Sequence, residues 1–182
     1  MRRGLWAGVG ALLLLVACSS GGGSAAKATT TSTTTSTTAA TTSTTSPDDA
    51  VKQAYLDYWA MIDRLNAAPD PNDPELAQRT EEPLLSDVKG QLDTTAHTGH
   101  SYKTPAGRPH SHTVSQIEAS GQAASLHDCY VDGTVEFDES GNTVDDAIST
   151  RQVESSLVLV GTVWKVSRLK FVDGAAGEVP CG

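Results

Sequence analysis

The chain contains no apolar run long enough to cross a bilayer. Its longest, Leu5 to Val16, falls well short of the about 20 residues a membrane-spanning helix requires, which excludes a permanent transmembrane anchor in that stretch. Positive charge is scarce: from Pro47 onward there are ten Lys and Arg against all 22 Asp and Glu, a net charge of −12. Such a surface repels phosphate backbones, so nucleic acid is not expected as a partner. Internal repeats, a glycine-rich phosphate loop after a strand and a nucleophile elbow are all missing. There are only three cysteines, Cys18, Cys129 and Cys181, and no second pair of ligands lies close to them in sequence, as a structural zinc site would need.

What is present begins at the N-terminus. Arg2 and Arg3 precede the apolar run, which closes on Leu15-Val16-Ala17-Cys18. A charged start, a short apolar core and small residues before a cleavage point describe a signal peptide over residues 1–17. The ending resembles a lipobox, the pattern read by lipoprotein diacylglyceryl transferase and lipoprotein signal peptidase. That resemblance implies lipidation of Cys18 and a chain anchored to the outer face of the cell membrane rather than spanning it. Two or more acyl chains hold stably, because each buried CH₂ contributes about 0.8 kcal/mol.

Residues 18–46 come next, with almost nothing but Gly, Ser, Thr and Ala. They have no hydrophobic face whose burial could offset the entropy of ordering, so a disordered tether is expected. The 28 residues from Ser19 to Ser46 would have an end-to-end distance of roughly 30 Å as a coil and about 95 Å at full extension. Dense Thr and Ser also suit O-glycosylation.

Residues 47–182 have the size of one domain. With Cys18 lipidated, Cys129 and Cys181 remain as an even pair in an oxidising compartment, and a disulfide between them is expected. Free thiols or a metal pair are the alternatives. Ser46-Pro47-Asp48-Asp49 reads as an N-cap, an N1 proline and first-turn carboxylates. Val51, Tyr55, Tyr58, Trp59, Ile62 and Leu65 then recur at three- and four-residue intervals, giving a helix to about Asn66. Asp73-Pro74 opens a second helix to Thr80, and a third runs from Glu82 to about His97 before Gly99.

Beyond Gly99 the period changes to two. Strands are expected at 100–104, 110–119, 122–132, 148–160 and 163–172, joined by hairpins at Pro105-Ala106-Gly107, Ser120-Gly121, Glu139 to Asn142 and Gly161-Thr162. The result is an α+β arrangement with N-terminal helices packed on an antiparallel meander, ending from Asp173 in an unpatterned tail.

Several residues carry a resemblance: Tyr55-Leu56-Asp57-Tyr58-Trp59, Asp73-Pro74-Glu75-Leu76-Ala77, Ala123 to Cys129 with Asp132, Trp164-Lys165-Val166, and Cys181. Together they are similar to the NTF2-like (SnoaL/ketosteroid-isomerase-like) cone domain of tethered actinobacterial lipoproteins. The resemblance implies a pocket between helix one and the concave face of a curved sheet, near Tyr55, Tyr58, Trp59 and Trp164. It implies no particular activity, since one fold hosts isomerases, dehydratases and binding modules.

Tyr55, Tyr58, Asp57, Asp63, His127 and Asp128 stand near the implied cone, yet none has a spacing diagnostic of catalysis, and no catalytic residue or cofactor is assigned. His97, His100, His110 and His112 form a histidine-rich stretch. If a hairpin set His100 opposite His112, it would gather imidazoles able to bind zinc or copper, but no carboxylate or cysteine is placed to complete the shell, so no metal is assigned. Three readings stay open: a non-catalytic envelope module holding a small apolar ligand or lipid, a protein-interaction or homodimerisation module at the cell surface, and an isomerase- or cyclase-like enzyme.

Overall fold

In the computed structural model, residues 46–181 are described, and they fall within one unit, Thr42–Gly182. The signal peptide, Cys18 and the tether as far as residue 45 lie outside the described residues. Among the described residues, no helix is long and apolar enough to cross a membrane.

Helix α1, Pro47–Ala67, starts where its cap residues require. Ser46 accepts a hydrogen bond from the Asp49 amide at 3.1 Å, and Pro47 takes the first turn. Its buried face is the expected one: Val51, Tyr55, Tyr58, Trp59, Ile62 and Leu65, joined by Met61. α2, Pro74–Arg79, is capped by Asp73, whose side chain accepts from the Glu75 amide at 2.8 Å. Arg64 bonds Asp73 and Glu75 at 2.9 and 2.8 Å, and Arg79 bonds Asp57 at 2.6 Å, which fastens α2 to α1. α3, Leu84–Thr98, ends on Gly99 at φ 70°, a left-handed cap that suits glycine.

Four long strands form one antiparallel sheet in the order β2-β3-β6-β7, with β2 at Ser111–Ser120, β3 at Ala123–Asp132, β6 at Ser149–Val160 and β7 at Val163–Ala176. Their starts fall within a residue of the positions expected from alternation. β3 turns Ala124, Leu126, Asp128 and Tyr130 toward the helices, and register sets Leu157, Ser155, Val153 and Arg151 of β6 beside them on the same face. This face packs on α1, with Leu76, Leu92 and Val166 closing the core. The fold is therefore α+β, with helices on one side of a curved, open sheet. The turn after α2 covers part of the β7 edge, where Thr80 bridges Val166 and the Glu81 amide donates to the Val166 carbonyl at 2.9 Å.

The meander differs from expectation in the middle of the chain. Residues 101–103 form β1, which pairs with β4, Val135–Phe137, and not with β2. β4 in turn pairs with β5, Thr143–Asp145, giving a separate sheet in the order β1-β4-β5. Pro105-Ala106-Gly107 is thus no hairpin turn between β1 and β2, and Glu139 to Asn142 turns the short β4–β5 pair. Glu136 holds β1 there, accepting from the Tyr102 hydroxyl at 3.1 Å and lying 2.6 Å from His100 Nδ1.

Gly133 makes this crossing possible. A Cβ at Gly133 would lie 1.9 Å from the Pro109 carbonyl oxygen, so only glycine lets the two segments pass.

The C-terminal stretch is also more ordered than its lack of periodicity suggested. β7 continues to Ala176, because β6 extends far enough to pair Ser149 through Gln152 with Ala176 through Asp173. Thr150 pins the residues just beyond β7, donating to the Gly177 carbonyl and accepting from the Val179 amide. The tail ends in the Cys129–Cys181 disulfide, whose Cα atoms are 5.7 Å apart.

Candidate functional site

Helix periodicity and strand alternation converge at one place. Tyr55 projects from the buried face of α1, Asp128 from the inward face of β3, and His112 from β2, where it sits opposite Tyr130. Oδ2 of Asp128 accepts the Tyr55 hydroxyl at 2.9 Å and lies 2.6 Å from His112 Nδ1, so Nδ1 carries the proton of that contact. Asp128 is 0 % exposed. Burial, and then the neighbouring Asp128 charge, push the Tyr55 hydroxyl far above its ordinary pKa; burial does the same to Tyr58. Both remain neutral phenols. His112 Nε2 and Asp128 Oδ1 are buried without a partner, as are Trp59 Nε1 and His110 Nδ1 close by. A His–Asp pair of this kind is able to relay a proton, and here its Nε2 is buried away from the cleft's solvent.

The same aromatic packing extends outward. The rings of His112 and Tyr130 stack at 4.5 Å and 2°, and Trp59 lies 4.8 Å from the first and 4.9 Å from the second. Trp59 and Tyr130 in turn line a cleft of about 370 Å³ between the helices and the sheet. α1 contributes Trp59, Asp63 and Asn66, spaced four and three apart on one helix face. Gln91 of α3 and Tyr102 of β1 form one wall. Asp132, two residues beyond Tyr130 on β3, shares its face, and Thr134, Arg151 and Phe171 complete the lining. A second depression of about 210 Å³ shares Tyr102, Asp132, Thr134 and Arg151 and adds Glu136 and Asp145.

Charges in the cleft are partly matched. His110 Nε2 lies 3.1 Å from Asp63 Oδ2, and this hydrogen bond raises the His110 pKa despite the ring's partial burial. The guanidinium of Arg151 lies 5.4 Å from the Phe171 ring centre and donates through Nε to Ser149 Oγ at 3.2 Å. It forms no salt bridge among the described residues. Tyr130 is only 5 % exposed; burial, and then nearby Asp132 through its charge and as a hydrogen-bonding neighbour, raise the pKa of its hydroxyl.

The residues singled out from sequence are distributed unevenly over this site. Tyr55 and Tyr58 are core residues, Trp59 lines the cleft, and Trp164 is half-buried at the core margin on β7, outside the cleft lining. Asp63 lines the cleft, Asp57 is engaged by Arg79, and His127 is exposed. His100 does not oppose His112, because β1 pairs with β4; it faces Glu136, while His97 is exposed on α3. Among the described residues, no group of three or more His, Cys, Asp or Glu is placed to hold a metal ion. Tyr102, Tyr130, Asp132, Arg151 and Phe171 were not singled out as pocket residues. Alternation along β3 could have grouped Asp128, Tyr130 and Asp132, but the pairing of β6 that adds Arg151 is a tertiary fact.

No family model and no curated protein matches the chain. Among solved structures it is similar to the intermembrane space region of the chloroplast protein ARC6, at 17% identity and a TM-score of 0.55, over 67% of this chain and 95% of that one. It is also similar to the Kfla4162 protein from Kribbella flavida, at 11% identity and a TM-score of 0.48, over 70% and 91% of the two chains. At such identity, the likeness to the ARC6 region is one of fold alone.

Proposed function

We propose that the protein is an envelope lipoprotein, anchored through Cys18 at the outer face of the cell membrane, whose NTF2-like domain binds a small ligand without transforming it. The observation that carries the ligand reading is the concentration of rings: four of the chain's nine aromatic residues, Trp59, Tyr102, Tyr130 and Phe171, line one cleft. Concave sites lined by aromatic rings and a few polar groups are where small molecules bind. A nearly apolar ligand was the expectation from sequence, but Asp63, Asp132 and Arg151 give this lining a larger polar share. The preferred ligand therefore has both an apolar face and polar groups. Absence of catalysis is supported by the sealed position of His112 Nε2.

Native mass spectrometry of the exported chain under non-denaturing conditions tests the reading. A small molecule released on denaturation, and lost in the Phe171→Ala variant, is the expected result; a chain that is always empty counts against it. Anchoring is tested separately, since Cys18→Ala should move the protein from the membrane fraction to the medium.

A second reading, an interaction or homodimerisation module, draws on a different surface. Phe171 and Val172, each 49% exposed, flank a shallow groove of about 500 Å³ along the end of β7. β7 is an edge strand, and exposed edges accept further strands. Sedimentation of the exported chain across a hundredfold concentration range would reveal a dimer, and V172K should abolish it.

A further inference from the structure

We propose that the ligand of the cleft is a neutral saccharide, an inference that rests on the ligand-binding reading above. The lining is hostile to the other chemical classes. An apolar guest would strip water from Asp132, the Tyr130 hydroxyl and the Arg151 head without replacing its hydrogen bonds, which is costly. An organic cation would seek the ring faces and the carboxylates, but Arg151 already lies 5.4 Å from the centre of Phe171, Asp63 is engaged by His110 at 3.1 Å, and Asp132 accepts from the Thr134 hydroxyl at 2.7 Å. An anion attracted to Arg151 would meet the carboxylates of Asp63 and Asp132 across the same space.

A pyranose ring meets all three conditions. It carries no charge, and its C–H face packs on aromatic rings. Each hydroxyl both donates and accepts, as a lining of mixed sign demands: it donates to Asp132 and accepts from Arg151 or Tyr130. Tyr130 carries the case beyond composition. It is only 5 % exposed and lines the cleft, and its hydroxyl stands beside the Asp132 carboxylate and is not sealed in the core, so a guest that displaces water there must itself offer a hydrogen bond. The ring is also held in place from behind, by His112 stacked at 4.5 Å, so the hydroxyl is pre-positioned. The adjoining depression, sharing Tyr102, Asp132, Thr134 and Arg151, extends the site beyond one sugar ring.

The test is a titration of the full chain, labelled with ¹⁵N, using cellotetraose, maltotetraose and chitotetraose, with choline and laurate as the competing classes. The indole N–H of Trp59 reports on the cleft, and that of Trp164, outside its lining, serves as the internal control. At least one tetrasaccharide should shift Trp59 in a saturable manner and leave Trp164 in place. Tyr130→Phe should weaken that binding about tenfold, the consequence of one lost hydrogen bond, with an unchanged Trp164 signal showing that the fold is intact. If choline or laurate shifts Trp59 while no tetrasaccharide does, the saccharide assignment is overturned and the ligand-binding reading survives. If none of the five probes shifts it, both are overturned.

Discussion

Asp128 and His112 meet at 2.6 Å on neighbouring strands, and because the Tyr55 hydroxyl of α1 reaches the same carboxylate oxygen at 2.9 Å, one buried acid fixes a helix and two strands together. The contact also fixes the cleft, since His112 is the ring on which Tyr130 and Trp59 stack.

Removing the acid should therefore cost far more than removing one of its donors. Asp128→Ala leaves a buried hydroxyl and a buried imidazole N–H unpaired and is expected to destabilise the domain by about 3–5 kcal/mol. Tyr55→Phe, which deletes one donor and keeps the ring, should cost about 1 kcal/mol. Urea unfolding measures both, and the network account fails should the two variants prove equally stable.

The disulfide closes a loop between residues separated by 52 positions. On the chain-entropy model this contributes about 4 kcal/mol. Cys181→Ser should lower stability by about that amount and speed amide exchange from Asp173 to Ala176, the part of β7 nearest the tail. Exchange that stays as slow as in the oxidised protein would show that Thr150 alone secures the segment.

His110 gives the domain a pH dependence of definite sign. Its pKa is raised in the folded state by Asp63, so folding binds the proton more tightly than the unfolded chain does. The resulting stability is fully present below the unfolded value of about 6.5 and is lost as pH rises through the raised folded value. Thermal midpoints should fall over that window, and Asp63→Asn should flatten the profile. A profile that Asp63→Asn leaves unaltered would remove His110 as its origin.

Gly133 tolerates no side chain. With the Pro109 carbonyl 1.9 Å from where a Cβ would stand, Gly133→Ala must push apart two segments, one of which leads directly into His110. We expect a loss of at least about 2 kcal/mol, whereas Gly90→Ala, on α3 with nothing within 4 Å, should be neutral or stabilising. Comparing their denaturation midpoints decides the point.

Much of the architecture was legible in the chain itself. Ser46 and Pro47, the spacing from Val51 to Leu65, and Gly99 locate the helices, because capping and periodicity act within a few residues. Strand alternation placed β2, β3, β6 and β7 for the same reason. The β1–β4–β5 sheet was not legible: three-residue strands carry too little alternation to register, and β1 is drawn from β2 by Glu136, thirty-four residues beyond Tyr102.

The candidate site divides along the same line. Local sequence determined that Tyr55 and Trp59 face inward and that an even pair of cysteines comes after Cys18, since helix period and residue count need no partner to be read. Only tertiary structure decided that His112 stacks on Tyr130, that Arg151 stands beside Tyr130 and Phe171, and that His100 goes elsewhere. Those outcomes depend on strand register and on which strands pair, and register is set by contacts between residues far apart in the chain.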